Sequence, residues 1–178
     1  MAKHDEKILS STMIYRGKVF GVRRDEVVEP NGVQASREVI THPGSVVVLP
    51  VLKDGRIVMI RQYRHAARQY LWELVAGRID DGETVKQAAA RELHEETGFR
   101  AKRYCPFLDM FPTPGFLEER MHIVQAEDLT EGEAQPEEDE RIEVRIFSVQ
   151  QLKQMMRRGR FHDAKTIAAL LYYFTFLR

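Results

Sequence analysis

The chain contains a single cysteine, Cys105, so it can close no intramolecular disulfide, and no Cys/His cluster has the spacing of a zinc site. A fold without covalent staples must stand on its core, and a lone thiol fits a reducing, cytoplasmic setting. Net charge is missing too. Lys plus Arg and Asp plus Glu each number 27, which excludes a global field drawing the chain to nucleic acid and makes any preference for a charged ligand local. There is no long hydrophobic run: the longest nearly apolar stretch, Thr166 to Leu177, falls short of the roughly 20 residues a membrane helix needs. It reads as a buried terminal helix, and no membrane span is expected. The first residues, Met1 to Tyr15, mix Lys3, Asp5, Glu6 and Lys7 with short apolar stretches and lack the apolar segment and cleavage site of an export signal. Internal repeats and low-complexity tracts are likewise absent.

What remains is a globular balance. Of 178 residues, 43% are apolar and 30% charged, enough for one domain with a small appendage and too few for two enzyme domains. From Met13 to Leu52 the pattern is β-like, and Glu29-Pro30-Asn31-Gly32 marks a hairpin turn between Val27-Val28 and Glu38-Val39-Ile40. Gly44 to Leu52 and Ile57 to Ile60 are rich in β-branched residues, and Lys53-Asp54-Gly55-Arg56 between them predicts a second hairpin. Leu71 to Ala76 reads as one further strand. Later strands are expected near Arg103 to Phe111, Glu119 to Ala126 and Ile142 to Ser148, with closing helices near Val149 to Arg158 and Ala164 to Leu177.

The clearest element is a helix over Val85 to Thr97. Thr84 with Gln87 forms a capping-box pattern, Ala88 to Ala90 favour helix, and Gly98 supplies the left-handed stop. Glu92, Glu95 and Glu96 lie three and four residues apart and therefore share one face of it. Like charges at that spacing repel, so the cluster calls for compensation, and hard divalent cations suit carboxylate oxygens. Arg91, four residues before Glu95, offsets part of the charge. On these residues alone a solvated acidic helix face is the favoured reading.

A wider window decides between these readings. Gly77, Glu83 and Arg91-Glu92-Leu93-His94-Glu95-Glu96-Thr97-Gly98-Phe99 resemble the Nudix box, G-x5-E-x7-R-E-U-x-E-E-x-G-U with U apolar, at every specified position. The resemblance implies an α/β fold, a Nudix-type α/β/α sandwich with an N-terminal antiparallel β-sheet extension. Residues 1–42 would form that extension, exchanged across a dimer, and 43–178 the hydrolase domain. It also implies hydrolysis of a nucleoside diphosphate linked to another moiety, with Mg²⁺ or Mn²⁺ held by Glu92 and Glu96, by Glu95 as an accessory, and by the carbonyl of Ala76. Gly77, Glu83, Arg91 and Gly98 would hold loop and helix in place. A pyrophosphate is an anion that water attacks poorly, and clustered cations relieve that difficulty.

Substrate class rests on features outside the box. Pro114, in Phe111-Pro112-Thr113-Pro114-Gly115, falls 15 residues after Phe99 and resembles the proline marking the ADP-ribose pyrophosphatase subgroup. Arg61-Gln62-Tyr63-Arg64 resembles a motif in which an arginine, here Arg64, meets the diphosphate. By the same resemblance, Phe20 contacts the adenine base, Arg37 and Glu38 make polar contacts across a homodimer, and Glu119 approaches a ribose. The acidic run Glu127 to Glu140 reads as a loop. Its end, Glu137-Glu138-Asp139-Glu140, is similar to a segment carrying a catalytic base, which puts Glu138 at the base position and Glu140 at the metal; Glu95 is the other candidate base. The reading is therefore a cytoplasmic, homodimeric ADP-ribose pyrophosphatase acting on a small molecule, with no nucleic-acid or membrane partner. Another nucleoside diphosphate sugar or a dinucleotide as substrate, and a non-catalytic nucleotide-binding regulator, stay open as alternatives.

Overall fold

The computed structural model describes residues 7–134 and 141–178. The chain divides into two compact units, one made of the chain up to Gly44 together with Phe111–Arg120, the other of Ser45–Met110 and Met121–Arg178.

In the first unit, β1 (Lys7–Arg16), β2 (Gly21–Val28) and β3 (Gln34–Thr41) form an antiparallel sheet in that order. The β2–β3 turn falls at Glu29 to Gly32, where Gly32 takes φ +86° and its N–H donates to the Glu29 carbonyl. β1 begins at Lys7, earlier than the β pattern read from Met13, and every one of its residues is exposed. A strand with no buried face shows no apolar/polar alternation, which hides it from a periodicity argument. The segment Phe111–Arg120 extends this sheet: Ile40 N–H donates to the Phe116 carbonyl (2.7 Å) and Glu118 N–H to the Ile40 carbonyl (3.1 Å).

The second unit holds two sheets. β4 (Ser45–Pro50), β7 (Val75–Arg78), β8 (Arg103–Met110) and β9 (Met121–Glu127) are ordered β7-β4-β9-β8, with β4 and β9 parallel. β5 (Ile57–Arg64), β6 (Gln69–Glu73) and β10 (Glu143–Phe147) are ordered β10-β5-β6. Successive residues of β4 and β5 face opposite ways. Val47, Leu49, Ile57 and Met59 pack with Leu152 of α2 (Val149–Arg157) and Ala169 and Leu170 of α3 (Ala164–Tyr172). Val46, Val48, Val58 and Ile60 pack with Ala88, Ala89 and Leu93 of α1 (Val85–Thr97). Helices thus cover both sides, giving the α/β/α sandwich. Truncating a fully buried anchor such as Leu93 to Ala costs about 2–5 kcal/mol.

Two expectations need correction. The Lys53 to Arg56 turn forms, with Gly55 at φ +81° and its N–H on the Leu52 carbonyl, but β4 and β5 share only the bridge between Val51 and Ile57 before entering different sheets. Both strands are apolar on both faces, and parting them places each between two neighbours with both faces covered. The strand expected over Leu71 to Ala76 is likewise broken at Leu74, where the chain passes from one sheet to the other. The Leu74 N–H, lost to either ladder, donates instead to Thr166 Oγ1 of α3 (2.9 Å). The closing helix changes to a π-helical turn over Tyr173–Leu177. No helix among the described residues is long and apolar enough to cross a membrane.

Candidate active site

α1 is fixed at both ends. Thr84 and Gln87 cap each other reciprocally at its start, and at its end Gly98 takes φ +77° and donates to the His94 carbonyl (2.8 Å). Gly98 is needed for a second reason: a Cβ there would overlap the Gly132 carbonyl oxygen.

This helix presents its carboxylates to the end of β7 and the loop that follows. Arg91 is the hub. Its Nε and Nη2 grip both oxygens of Glu83 (3.0 and 2.9 Å), Nη2 also donates to the Arg78 carbonyl (2.9 Å), and Nη1 donates to Glu92 (2.6 Å) and Glu95 (3.1 Å). Glu83 in turn accepts from the Asp80 N–H (3.1 Å), closing the loop upon itself. The Arg91 hydrogen bonds hold the Glu83 carboxyl below its ordinary pKa against the opposing effect of burial, and Glu83 holds the guanidinium firmly charged. Glu96 is buried and accepts from the Ala76 N–H (3.3 Å), while the Glu92 carboxylate lies against Gly77, where no side chain intervenes.

The donor chemistry here suits a hard divalent cation: three carboxylates on one helix face and, beside them, the backbone of Ala76 and Gly77, oxygen ligands throughout. The missing side chain at Gly77 makes the cradle that Glu92 fills. Among the described residues no three His, Cys, Asp or Glu side chains are gathered tightly enough to hold an ion, and Arg91 engages Glu92 and Glu95 instead. In donor type, though not in their spacing, Glu92, Glu95, Glu96 and the Ala76 carbonyl match such a cation; Glu138 and Glu140 lie outside the described residues.

Arg64, at the end of β5, is engaged by Glu73 of β6, with Nε and Nη2 on its two carboxylate oxygens (2.8 and 2.7 Å). That pairing, and the nearby charge of Glu96, raise the Arg64 pKa despite burial. Sequence reasoning did not single out Glu73, although an acidic residue in an otherwise apolar strand, between Trp72 and Leu74, is a signal that could have marked it.

In the N-terminal unit, Arg37, Glu38 and Pro114 come together on a cleft of about 350 Å³, joined by Arg23, Asp25 and Phe116, which the sequence argument missed. Arg23 links Asp25 (2.8 Å) to Glu118 (2.5 Å). Arg37 pairs with Glu29 and Glu38 with Arg24. Phe20 is exposed beside Tyr15, and Glu119 stands 3.8 Å from His42; neither lines that cleft.

Comparison with known proteins agrees with this geometry. Residues 41–170 match the NUDIX domain family, and residues 6–40 match the nucleoside diphosphate sugar hydrolase N-terminal domain. The chain is 34% identical to an ADP-ribose pyrophosphatase of Bacillus subtilis, covering 97% of this chain and 94% of that protein. It is 32% identical to a methanol dehydrogenase activator of Bacillus methanolicus, covering 94% and 92%. A crystal structure of an ADP compounds hydrolase superposes with a TM-score of 0.83 at 27% identity, over 97% of this chain and 94% of the other. A family match over most of the chain, a box that places its carboxylates beside Gly77, and a shared fold lead to one conclusion: the chain belongs to the Nudix hydrolase family.

Proposed function

We propose that the protein is an ADP-ribose diphosphatase, which adds water across the pyrophosphate of ADP-ribose to give AMP and ribose 5-phosphate. The observation that carries this reading is the oxygen-donor face of α1 beside Gly77, in a chain similar along nearly its whole length to an ADP-ribose pyrophosphatase. Mg²⁺, with Mn²⁺ as a substitute, is the cation, and when bound it screens the diphosphate and acidifies the attacking water. Glu92 and Glu96 hold it with the Ala76 carbonyl, Glu95 and Glu140 assist, and Glu138 or Glu95 accepts the proton from water. Arg64 binds the diphosphate oxygens.

The working form is a cytoplasmic homodimer in which residues 1–42 are an extension exchanged between subunits and 43–178 the hydrolase domain. Phe20, Arg37 and Glu38 then serve the adenine across the interface, and Pro114 and Glu119 the ribose side. The fully exposed β1 and the apolar side chains Ile8, Met13, Ile14 and Phe20 on that unit support an interface there. The match of residues 6–40 to the nucleoside diphosphate sugar hydrolase N-terminal domain favours, as a second reading, another nucleoside diphosphate sugar.

A panel of nucleoside diphosphate derivatives and triphosphates, assayed with Mg²⁺ and with product masses recorded, separates these readings. ADP-ribose is expected to turn over with the highest kcat/KM and to yield AMP and ribose 5-phosphate. Preference for a triphosphate would refute the assignment.

A further inference from the structure

A four-charge network lies behind Arg64, and the chemistry assigned so far does not use it. Glu73 is fully buried and accepts three charge-assisted hydrogen bonds, two from Arg64 and one from Lys165 Nζ (2.6 Å). Lys165 also donates to Asp163 (2.9 Å), and Asp163 caps α3 through the Thr166 N–H (3.0 Å). Thr166 in turn takes the Leu74 N–H at the point where the chain changes sheets. Two cations and two carboxylates are thereby satisfied by one another across β5, β6 and the start of α3.

Such a network contributes little net stability, because desolvating its charges offsets their attraction, so its value lies in the geometry it imposes. That geometry is unusual for neighbouring strands. Arg64 pairs with Gln69 in the ladder, whereas Glu73 pairs with Ile60, four residues back along β5. At roughly 3.3 Å per residue the two backbone positions lie about 13 Å apart along the strands, a gap that the Arg64 and Glu73 side chains span together by extending toward each other. Nε and Nη2 are both occupied by the two-pronged grip, and Nη1 has no partner among the described residues. Four of the five guanidinium hydrogens belong to Nη1 and Nη2, so the edge left open is the Nη1 side.

We propose that Glu73 is a positioning residue for phosphate recognition: it clamps Arg64 so that Nη1 is presented, in one orientation, to a diphosphate at the Nudix box. This rests on the reading that a diphosphate occupies that site. Lys165 is the counter-cation of the clamp. It leaves Glu73 ionised without competing for the substrate, since it is nearly buried and commits two of its three donors to Glu73 and Asp163. An arginine free to rotate would bind the same phosphate only after losing that freedom; one already clamped has lost it in folding.

The test uses methylenediphosphonate, a diphosphate analogue whose P–C–P bridge water cannot cleave, titrated calorimetrically into the full chain at fixed Mg²⁺, alongside ADP-ribose kinetics. Glu73→Gln keeps the shape and removes the charge, and is expected to raise the Kd of the diphosphonate and the KM of ADP-ribose roughly 10- to 100-fold, with kcat within about threefold. Arg64→Lys, which cannot make the two-pronged pair, should lose a similar factor, and the double variant should lose no more than Arg64→Lys alone. Should Glu73→Gln fail to fold, Glu73→Asp retains the charge, withdraws the carboxylate by one methylene, and should still weaken the diphosphonate at least about fivefold. Parental affinity in the foldable variant, losses that multiply in the double variant, or no diphosphonate binding by the parental protein overturns the proposal. Diphosphonate binding without turnover of ADP-ribose overturns the substrate reading alone.

Discussion

Gly77 lies directly under the Glu92 carboxylate, so close that a Cβ at position 77 would overlap it. The atoms displaced are the far end of a flexible side chain, which can swing away at little cost to the fold. Gly77→Ala is therefore expected to change stability by less than about 1 kcal/mol while lowering kcat/KM by about 10² or more, because the carboxylate that must hold the cation is the group that moves. Thermal unfolding and turnover, measured on the same preparation, check the split.

Glu92→Gln and Glu96→Gln preserve side-chain size and remove the charge a divalent cation needs. Turnover should fall by orders of magnitude in each, and raising Mg²⁺ should restore part of it. Each variant keeps an amide oxygen that can still accept, from the Ala76 N–H at position 96 and from Arg91 at position 92, so the loss should fall on metal affinity and turnover rather than on the fold. Parental turnover at parental Mg²⁺ in either variant removes that residue from the metal site.

The Glu83–Arg91 pair gives stability a pH dependence of definite sign. The folded-state pKa of Glu83 is lowered, so its contribution is complete above the unfolded value of about 4.3 and is lost as pH falls through the folded value. The Tm gap between the parental chain and Glu83→Gln should stay constant from neutral pH to about pH 5.5 and narrow steadily as pH falls below the unfolded value of about 4.3. A gap that does not narrow at all on acidification would show that the loop depends on the shape of Glu83 and not its charge.

A strand exposed along its full length, as β1 is, is a surface that association can cover. Sedimentation at micromolar concentration should give a dimer. Phe20→Ala should raise the KM for ADP-ribose roughly fivefold or more, as loss of one base-stacking ring does. Full activity in a monomer would end the assignment of Phe20, Arg37 and Glu38 to a shared site.

The box helix was legible to the residue because its caps, its periodicity and its motif coincide: Thr84, Gln87 and Gly98 bound it at the same positions where the Nudix pattern requires it. Strand partners were not legible. β4 and β5 are apolar on both faces and carry no alternation to say which neighbour each would take, so the Gly55 turn suggested a hairpin that the sheets do not contain. Spacing marks Arg91 as an ion-pair partner of Glu95 and the family resemblance gives it, with Glu83, the task of holding loop and helix, but which atoms of Glu83 and Arg78 it grips depends on a loop path that spacing does not encode. Glu73 escaped notice for a related reason. Its partners Arg64 and Lys165 are 9 and 92 residues away, and only the folded topology brings them to one carboxylate.

Residues 111–120 belong, by their hydrogen bonds, to the N-terminal sheet, although the stretch Ser45–Met110 of the other unit separates them from it in sequence. For anyone grafting N-terminal extensions between related hydrolases, the module is therefore in two pieces. A chimera that exchanges only the first 44 residues replaces Ile40 and Arg23 and leaves Phe116 and Glu118 to find new partners. Substitutions in β2 and β3 and in the Pro114 segment must therefore stay compatible with one another for the sheet to keep its hydrogen bonds and its Arg23–Glu118 pair.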